Sequence, residues 1–322
     1  MTWHRPLMVF AVAMAALVPV SVTGLVIDDR MLAGAPIWLK PLKFSVSFAV
    51  YALTLAWMLS LLPRRRRAGW WAGTVVAAAG AVEMVIITTQ AVRGKGSHFN
   101  VATTFDERLF MLMGLTVVLL WTGTLVIALL LFRTRTLDRA AVWAVRLGAA
   151  VSLLGLAVGG LMLRPTPEQR AADRQGVAEV IGAHSVGVPD GGPTMPVTGW
   201  STTGGDLRIP HFVGMHALQA LPLLLVVLLA LAPRLPRLRN ECVRLRLVVV
   251  GAGVHTAALA LTTWQALRGQ PLTSPDGLTL GAAAGIAVLG AAATWLAVRV
   301  PPAAPAFPTG ATPSARTKEP VA

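Results

Sequence analysis

The amino-acid sequence predicts an all-α integral membrane protein with eight transmembrane helices, arranged as two pseudo-symmetric four-helix repeats. Hydrophobic residues make up 55 % of the 322 residues, charged residues only 13 %, and the mean hydropathy is +0.67. A soluble domain of average composition carries about twice that charged fraction. The composition therefore excludes a soluble globular enzyme, a disordered protein and a disulfide-stabilised scaffold, and it indicates a lipid bilayer as the main partner.

Eight stretches contain few or no charged residues, and each is long enough to cross a bilayer as a helix. About 20 apolar residues at a rise of about 1.5 Å span a hydrocarbon core of roughly 30 Å. Helices are predicted because backbone groups in lipid need partners within their own segment. The first stretch is long for a signal-peptide core and lacks a convincing cleavage site, so we assign it as a span. The predicted spans are 6–27, 44–63, 68–92, 109–132, 147–163, 209–233, 247–267 and 277–298.

The Lys and Arg residues predict the orientation. They are concentrated after every second span, in 64–67, 133–139, 234–246 and from 299 onward. Cytoplasmic loops carry such an excess, which predicts that these loops and both termini lie in the cytoplasm. The preference for Arg over Lys, with abundant Ala and Gly, is typical of a high-GC bacterial genome and thus indicates a bacterial inner membrane.

Charge and cysteine usage limit the partners and cofactors. The formal net charge is +14, but the basic residues form short runs between apolar segments, so no nucleic-acid partner is expected. The single cysteine, Cys242, excludes an internal disulfide and a cysteine-based metal site. The proline-rich tail 301–322 is predicted to be a disordered cytoplasmic extension. The oligomeric state is left open.

Similar short motifs in the two halves indicate an internal repeat. Gln90-Ala-Val-Arg-Gly94 matches Gln265-Ala-Leu-Arg-Gly269, and Pro41-Leu-Lys-Phe44 resembles Ile209-Pro-His-Phe212. Each unit contains an even number of spans, so both insert the same way up, as parallel repeats. The predicted units are 1–136 and 137–300, the second with a long extracytoplasmic loop at 164–208.

Polar residues within the spans concentrate in the outer half and predict a binding site. Polar groups inside a bilayer are costly and are usually functional. A buried carboxylate such as Glu83 needs a partner, and Lys43 is the nearest cation in depth. Lys43 is equally compatible with a side chain that extends to the outer interface, and His255 with a core histidine hydrogen-bonded to a neighbouring helix. The substrate-binding candidates are Lys43, Glu83, Gln90, His216, Gln219, His255 and Gln265, with Arg93 and Arg268 at the mouth.

Three functions are compatible with these residues. The first is binding or transport of a small or lipid-like solute from the outer side, although no span is clearly interrupted and the cytoplasmic half offers no polar path. The second is a redox protein with haem or a divalent metal, in which His98, His211 and Asp206 are the metal-ligand candidates. His216 and His255 differ in depth by roughly 10 Å, which weakens a bis-histidine haem. The third is a membrane-embedded enzyme with Glu83 or a histidine as general base.

Several strings resemble those of a family of bacterial multi-pass membrane proteins. They are Lys40-Pro-Leu-Lys-Phe44, Arg93-Gly-Lys-Gly-Ser-His-Phe-Asn100, Gly205-Asp-Leu-Arg208 and His211-Phe-Val-Gly-Met-His-Ala-Leu-Gln219. The resemblance covers most of the chain except the tail. It implies that these positions form one site, and no established activity comes with it.

Overall fold

The computed structural model describes residues 3–62, 66–133 and 138–299, and this part of the chain is mainly helical. The predicted tail and parts of two arginine-rich loops lie outside these residues. Short two-residue strands occur only in loops. The helices are α1 Arg5–Ile27, α2 Leu39–Ser60, α3 Arg66–Arg93, α4 Thr104–Phe132, α5 Arg139–Val158, α6 Pro167–Arg174, α7 Arg208–Met215, α8 Ala217–Leu231, α9 Glu241–Leu267 and α10 Gly277–Arg299.

Seven helices are long and apolar enough to cross a membrane, and α7 with α8 makes an eighth span if the bent pair counts as one. Each predicted span coincides with one of these. Several helices begin earlier than their apolar stretch because polar residues cap them. The side chains of Thr103, Asp138 and Asn240 accept hydrogen bonds from the first turns of α4, α5 and α9. The prediction from apolar stretches stops short of such capped ends.

The start of α2 is set by a corner with α1. Trp38 precedes α2 and packs on Gly24, where an added Cβ would lie 2.3 Å from the indole ring. The indole Nε1 donates to Asp28 Oδ2 at 2.8 Å, and Arg30 binds the same carboxylate. The strands β1 Met31–Leu32 and β2 Ala35–Pro36 pair between the two helices. This corner begins α2 at Leu39, five residues before the predicted 44.

The first four helices share one interior. α1 packs mainly on α2, and α3 packs mainly on α4. A single cluster of buried apolar side chains joins them, to which α5 and α8 contribute a few residues. Leu55, Met58, Ile87, Met113 and Ile127 are among its fully buried members.

The second set of helices packs differently. α5 lies against α7, α8 and α9, and α10 packs mainly on α9. The buried apolar residues here form two smaller clusters. At the crossing of α5 and α7, a Cβ added to Gly155 would lie 2.3 Å from the Gly214 carbonyl carbon, so glycine permits the close approach.

The connection 164–207, here called the long loop, covers one end of the bundle, which we call the loop-bearing end. It contains α6 and the strands β3 Ser185–Val186 and β4 Gly205–Asp206, which pair antiparallel. The long loop also hydrogen-bonds the α3–α4 connection, where the Val101 amide donates to Glu179 O and the Ile181 amide donates to Phe99 O. It therefore contacts both halves of the chain.

Candidate functional site

Two lysines near the start of α2 lie beneath the long loop. Lys40 Nζ lies 2.9 Å from His98 Nδ1, which is also 3.1 Å from Ser97 Oγ. Lys43 Nζ donates to the Thr198 carbonyl oxygen at 2.6 Å. Both lysines are half-buried. An ammonium can only donate, so His98 Nδ1 accepts and its Nε2 carries the hydrogen.

Two histidines in the loops at this end have lowered pKa values. Burial lowers the pKa of His98 well below its ordinary value, and the charges of Lys40, His184 and His211 lower it further. Burial also lowers the pKa of His184, and its hydrogen bond to Asp190 opposes part of that effect. Burial alone would raise the pKa of Asp190, but hydrogen bonds from His184 and Ser185 hold it well below its usual range. Near neutral pH, His98 is therefore neutral.

Glu83 is buried in the first half, and its partner differs from the expected one. Its side chain is 2 % exposed, and Thr116 Oγ1 on α4 donates to Oε1 at 2.5 Å. The expected pair with Lys43 does not form, because Lys43 binds the long loop instead.

The sixth span is broken at His216, where the axes of α7 and α8 differ by 44°. Two backbone carbonyls at the break accept side-chain hydrogen bonds from neighbouring helices. His255 Nε2 donates to Val213 O at 2.8 Å, and Ser152 Oγ donates to Met215 O at 2.9 Å. Irregular backbone at membrane depth is tolerated where protein groups satisfy it in this way. The expectation that no span is interrupted is therefore wrong.

His216 itself joins a short polar chain. Its Nδ1 lies 3.2 Å from Gln219 Oε1, and Gln219 Nε2 donates to Thr54 Oγ1 on α2 at 3.3 Å. An amide oxygen only accepts, so Nδ1 carries the hydrogen and Nε2 is left as an acceptor. That Nε2 is buried and has no hydrogen-bond partner among the described residues. The break therefore presents one buried, unsatisfied acceptor next to the first half of the chain.

Gln90 and Arg93 close the corner between α3 and α4. Gln90 Nε2 donates to Asp106 Oδ1 at 2.8 Å and to Gly96 O at 3.2 Å, and Arg93 Nη1 donates to Asp106 Oδ1 at 2.6 Å. α3 ends before Gly94, which has a φ of +73°. Asp106 is 1 % exposed, and its role in this corner was not predicted.

Gln265 and Arg268 make the corresponding contacts between α9 and α10. Gln265 Nε2 donates to Pro271 O at 3.0 Å, and Arg268 forms an ion pair with Asp276. α9 is followed by Gly269, whose φ is +72°. In both corners the glutamine and arginine hold a helix end, and their predicted roles in substrate binding and at the mouth stay predictions.

The three predicted metal-ligand candidates have other partners. His211 Nδ1 donates to Gly155 O at 2.9 Å, and Asp206 is bound by Arg208 at 2.5 Å. His98 is bound by Lys40. Within 3–62, 66–133 and 138–299, no group of three or more His, Cys, Asp or Glu side chains is placed to hold a metal ion. The hypothesis of a metal centre stays a prediction.

One groove lies away from these polar groups. It has a volume of about 900 Å³ and runs between α1 and α3, with Arg5 at one end and Thr89 at the other. Its lining is almost entirely apolar, with residues such as Val9, Leu17 and Met84, so it adds no polar chemistry to the candidate site.

Comparisons with protein-family models, with curated proteins and with solved structures find no match for this chain. The functional argument therefore uses the geometry of the described residues alone.

The structure divides the predicted site residues into separate groups and adds others to them. Lys43 lies beneath the long loop, Glu83 lies in the core of the first half, and His216, Gln219 and His255 meet at the break. Several side chains that bind these residues were not among the predicted site residues. One signal for the break was present, since Pro210 and Gly214 precede it and Pro222 follows it. The partners that the sequence did not point to are Thr54, Thr116, Ser152 and Thr198, whereas Lys40 and Arg208 stand in the strings that carry the family resemblance.

Proposed function

We propose that this chain binds a small solute at the loop-bearing end and moves it across the membrane between its two halves. The loop-bearing end faces outward and both termini lie in the cytoplasm, as the distribution of arginines favours. One observation carries the proposal: the α7–α8 pair bends by 44° at His216, where the buried acceptor His216 Nε2 has no partner among the described residues. Discontinuous helices at the interface of two repeats are where many transporters bind their substrates.

The polar chain across the halves supports movement of one half against the other. Gln219 on α8 and Thr54 on α2 are joined by a single 3.3 Å hydrogen bond. A long hydrogen bond of this kind is weak and is readily exchanged for a contact with a solute. His216 Nε2 then accepts a hydrogen bond from the same solute.

The similar corners support the repeat that this mechanism uses. In each half a glutamine donates to the carbonyl six residues further on, and an arginine three residues after it pairs with an aspartate near the start of the next helix. The third helix also packs on the fourth in each half, α3 on α4 and α9 on α10. We assign 1–136 and 137–300 as parallel repeats on this basis.

Sided thiol labelling tests the proposal without knowledge of the solute. Cys242 is replaced by Ser, and Thr54→Cys places one thiol beside the break with little change in side-chain volume. A membrane-impermeant maleimide is applied to right-side-out and to inside-out vesicles. A transporter that exposes this site alternately is labelled at position 54 from both sides, because each half of the cycle opens it to one solution.

Cysteine substitutions at two further positions serve as controls for the labelling of position 54. Val226 is 58 % exposed on α8 and faces lipid, so Val226→Cys is expected to resist the polar reagent from either side. Lys95→Cys lies in the exposed α3–α4 connection and reports which side carries the long loop. Labelling of position 54 from the loop-bearing side only contradicts transport, and labelling of position 95 from the cytoplasm overturns the orientation.

A further inference from the structure

Lys40 and Lys43 place two positive charges side by side without a carboxylate between them. Residues three apart on a helix lie on the same face. Among the described residues, neither ammonium has a carboxylate oxygen within 4 Å. The first turn of α2 also contains no acidic residue, and the N-terminal end of a helix carries partial positive charge.

The carboxylates in this region are already bound by other groups. Asp206 is held by Arg208, Asp190 by His184, and Glu83 by Thr116. Half-buried cations close together are costly unless an anion joins them.

Lys40, Lys43 and Thr198 also have unused hydrogen-bond donors. Each ammonium has three N–H groups. Among the described contacts, Lys40 uses one on His98 and Lys43 uses one on the Thr198 carbonyl. The Thr198 hydroxyl oxygen is buried and has no partner in the part of the chain that the structure describes.

The turn that brings Thr198 to Lys43 has strained backbone. Val197 has a φ of +66°, which is unfavourable for a β-branched residue, and the Thr198 amide donates to Pro196 O at 2.7 Å. Neighbouring contacts hold this turn, because Arg208 Nη2 donates to Gly199 O at 2.7 Å. Strain of this kind is concentrated at ligand-binding positions. The valine side chain itself is 79 % exposed, so packing of that side chain does not explain the strain.

We infer that Lys40, Lys43 and the Thr198 hydroxyl form a binding site for an oxyanion, a carboxylate or phosphate group. The two ammoniums supply charge and the hydroxyl supplies a directed donor, and Thr198 closes the site from the long loop. This inference deepens the proposed function and rests on it for one point only, that the oxyanion belongs to the transported solute. A lipid headgroup offers the same chemistry, so the test separates the two sources.

The test measures binding to the full-length protein in nanodiscs of phosphatidylcholine. Inorganic phosphate and acetate are titrated at constant ionic strength, with chloride as the reference anion, and the thermal unfolding midpoint is followed. A saturable rise with phosphate or acetate is expected. The double variant K40Q/K43Q is expected to weaken binding at least tenfold, and Thr198→Val several-fold. Lys95→Gln is the matched control, because it removes an exposed lysine from the same end of the protein and leaves binding unchanged.

A second arm replaces part of the lipid with phosphatidylglycerol and omits the free anions. A midpoint that rises with phosphatidylglycerol and loses this rise in K40Q/K43Q identifies a lipid headgroup as the oxyanion. No saturable response to any of these oxyanions, or equal responses in K40Q/K43Q and the native chain, overturns the inference. The native circular dichroism spectrum of each variant confirms that it is folded. Two-sided labelling of position 54 without oxyanion binding leaves transport of a different solute, whereas oxyanion binding with one-sided labelling leaves a binding protein.

Discussion

The second span and the sixth span are built differently. α2 runs without a break from Leu39 to Ser60, buries Tyr51 and Leu55, and bonds the Tyr51 hydroxyl to Thr124 on α4. The sixth span breaks at His216 and needs side chains from α5 and α9 to satisfy its free carbonyls. An apolar core favours one conformation, whereas a break held by single hydrogen bonds permits a second.

The buried interiors of the two halves differ in the same way as the continuous second span and the broken sixth span. One continuous cluster of buried apolar side chains joins α1 to α4, while the second half has two smaller ones. α10 buries only Thr279 and Ala297 among its described side chains. The first half therefore serves as the rigid frame in the proposed mechanism, and the second half contains the moving part.

The glycine contact between α5 and α7 gives the strongest test of this comparison. Gly155→Ala places a Cβ against the Gly214 backbone, which has no flexible side chain to move aside. We expect the free energy of unfolding to fall by about 3 kcal/mol, the upper range for overpacking. Thermal unfolding of the purified protein measures the change.

Gly253→Ala in α9 is the control for this substitution. A Cβ at Gly253 meets no atom within 4 Å, and alanine is the better helix former by about 1 kcal/mol. Its stability is therefore expected to be equal or higher. Equal stabilities for Gly155→Ala and the native protein would show that the break tolerates separation of α5 from α7.

The two helix corners give a second test, because they share a pattern but differ in burial. Asp106→Asn removes a carboxylate that is 1 % exposed and leaves Arg93 and Gln90 with a weaker partner. We expect a loss of about 2 kcal/mol. Asp276→Asn acts on a carboxylate that is 36 % exposed, so a smaller loss is expected. Chemical denaturation of both variants under the same conditions compares them, and a larger loss for Asp276→Asn contradicts the assignment of the first half as the frame.

The positions of the helices follow from the sequence because burial in lipid demands long apolar stretches. The ends of the helices and the break at His216 are harder to predict from the sequence. Thr103, Asp138 and Asn240 act as caps through local backbone contacts that hydropathy does not measure. The break at His216 depends on Ser152 and His255, which come from other helices. A local sequence pattern does not predict hydrogen bonds between backbone carbonyls and side chains of distant helices.

The candidate site was predicted by depth, which identifies polar residues but not their partners. Lys43 and Glu83 lie at similar estimated depths, and that similarity suggested a pair. The pair does not form because Lys43 donates to the Thr198 carbonyl oxygen of the long loop. Gln90 and Gln265 were matched with each other by motif, and each donates to a backbone carbonyl six residues further on.

The smallest expected effect is the pH dependence of stability that arises from the histidines of the loop-bearing end. It differs between His98, in the first half, and His184, in the second. His98, from the first half, has a pKa well below the unfolded value of about 6.5, so the unfolded state takes up a proton first as the pH falls. Stability that is present above pH 6.5 is therefore lost as the pH decreases below it, by at most about 1.4 kcal/mol per pH unit for one histidine. His184, from the long loop, has Asp190 beside it, which offsets part of the same effect.

Thermal unfolding between pH 8 and pH 5 is expected to depend less on pH in His98→Gln than in His184→Gln. His98 accepts from Lys40 and has no carboxylate partner among the described residues, so its protonation is expected to dominate the loss of stability in acid. If thermal unfolding depends more steeply on pH in His98→Gln than in His184→Gln, another group governs that loss.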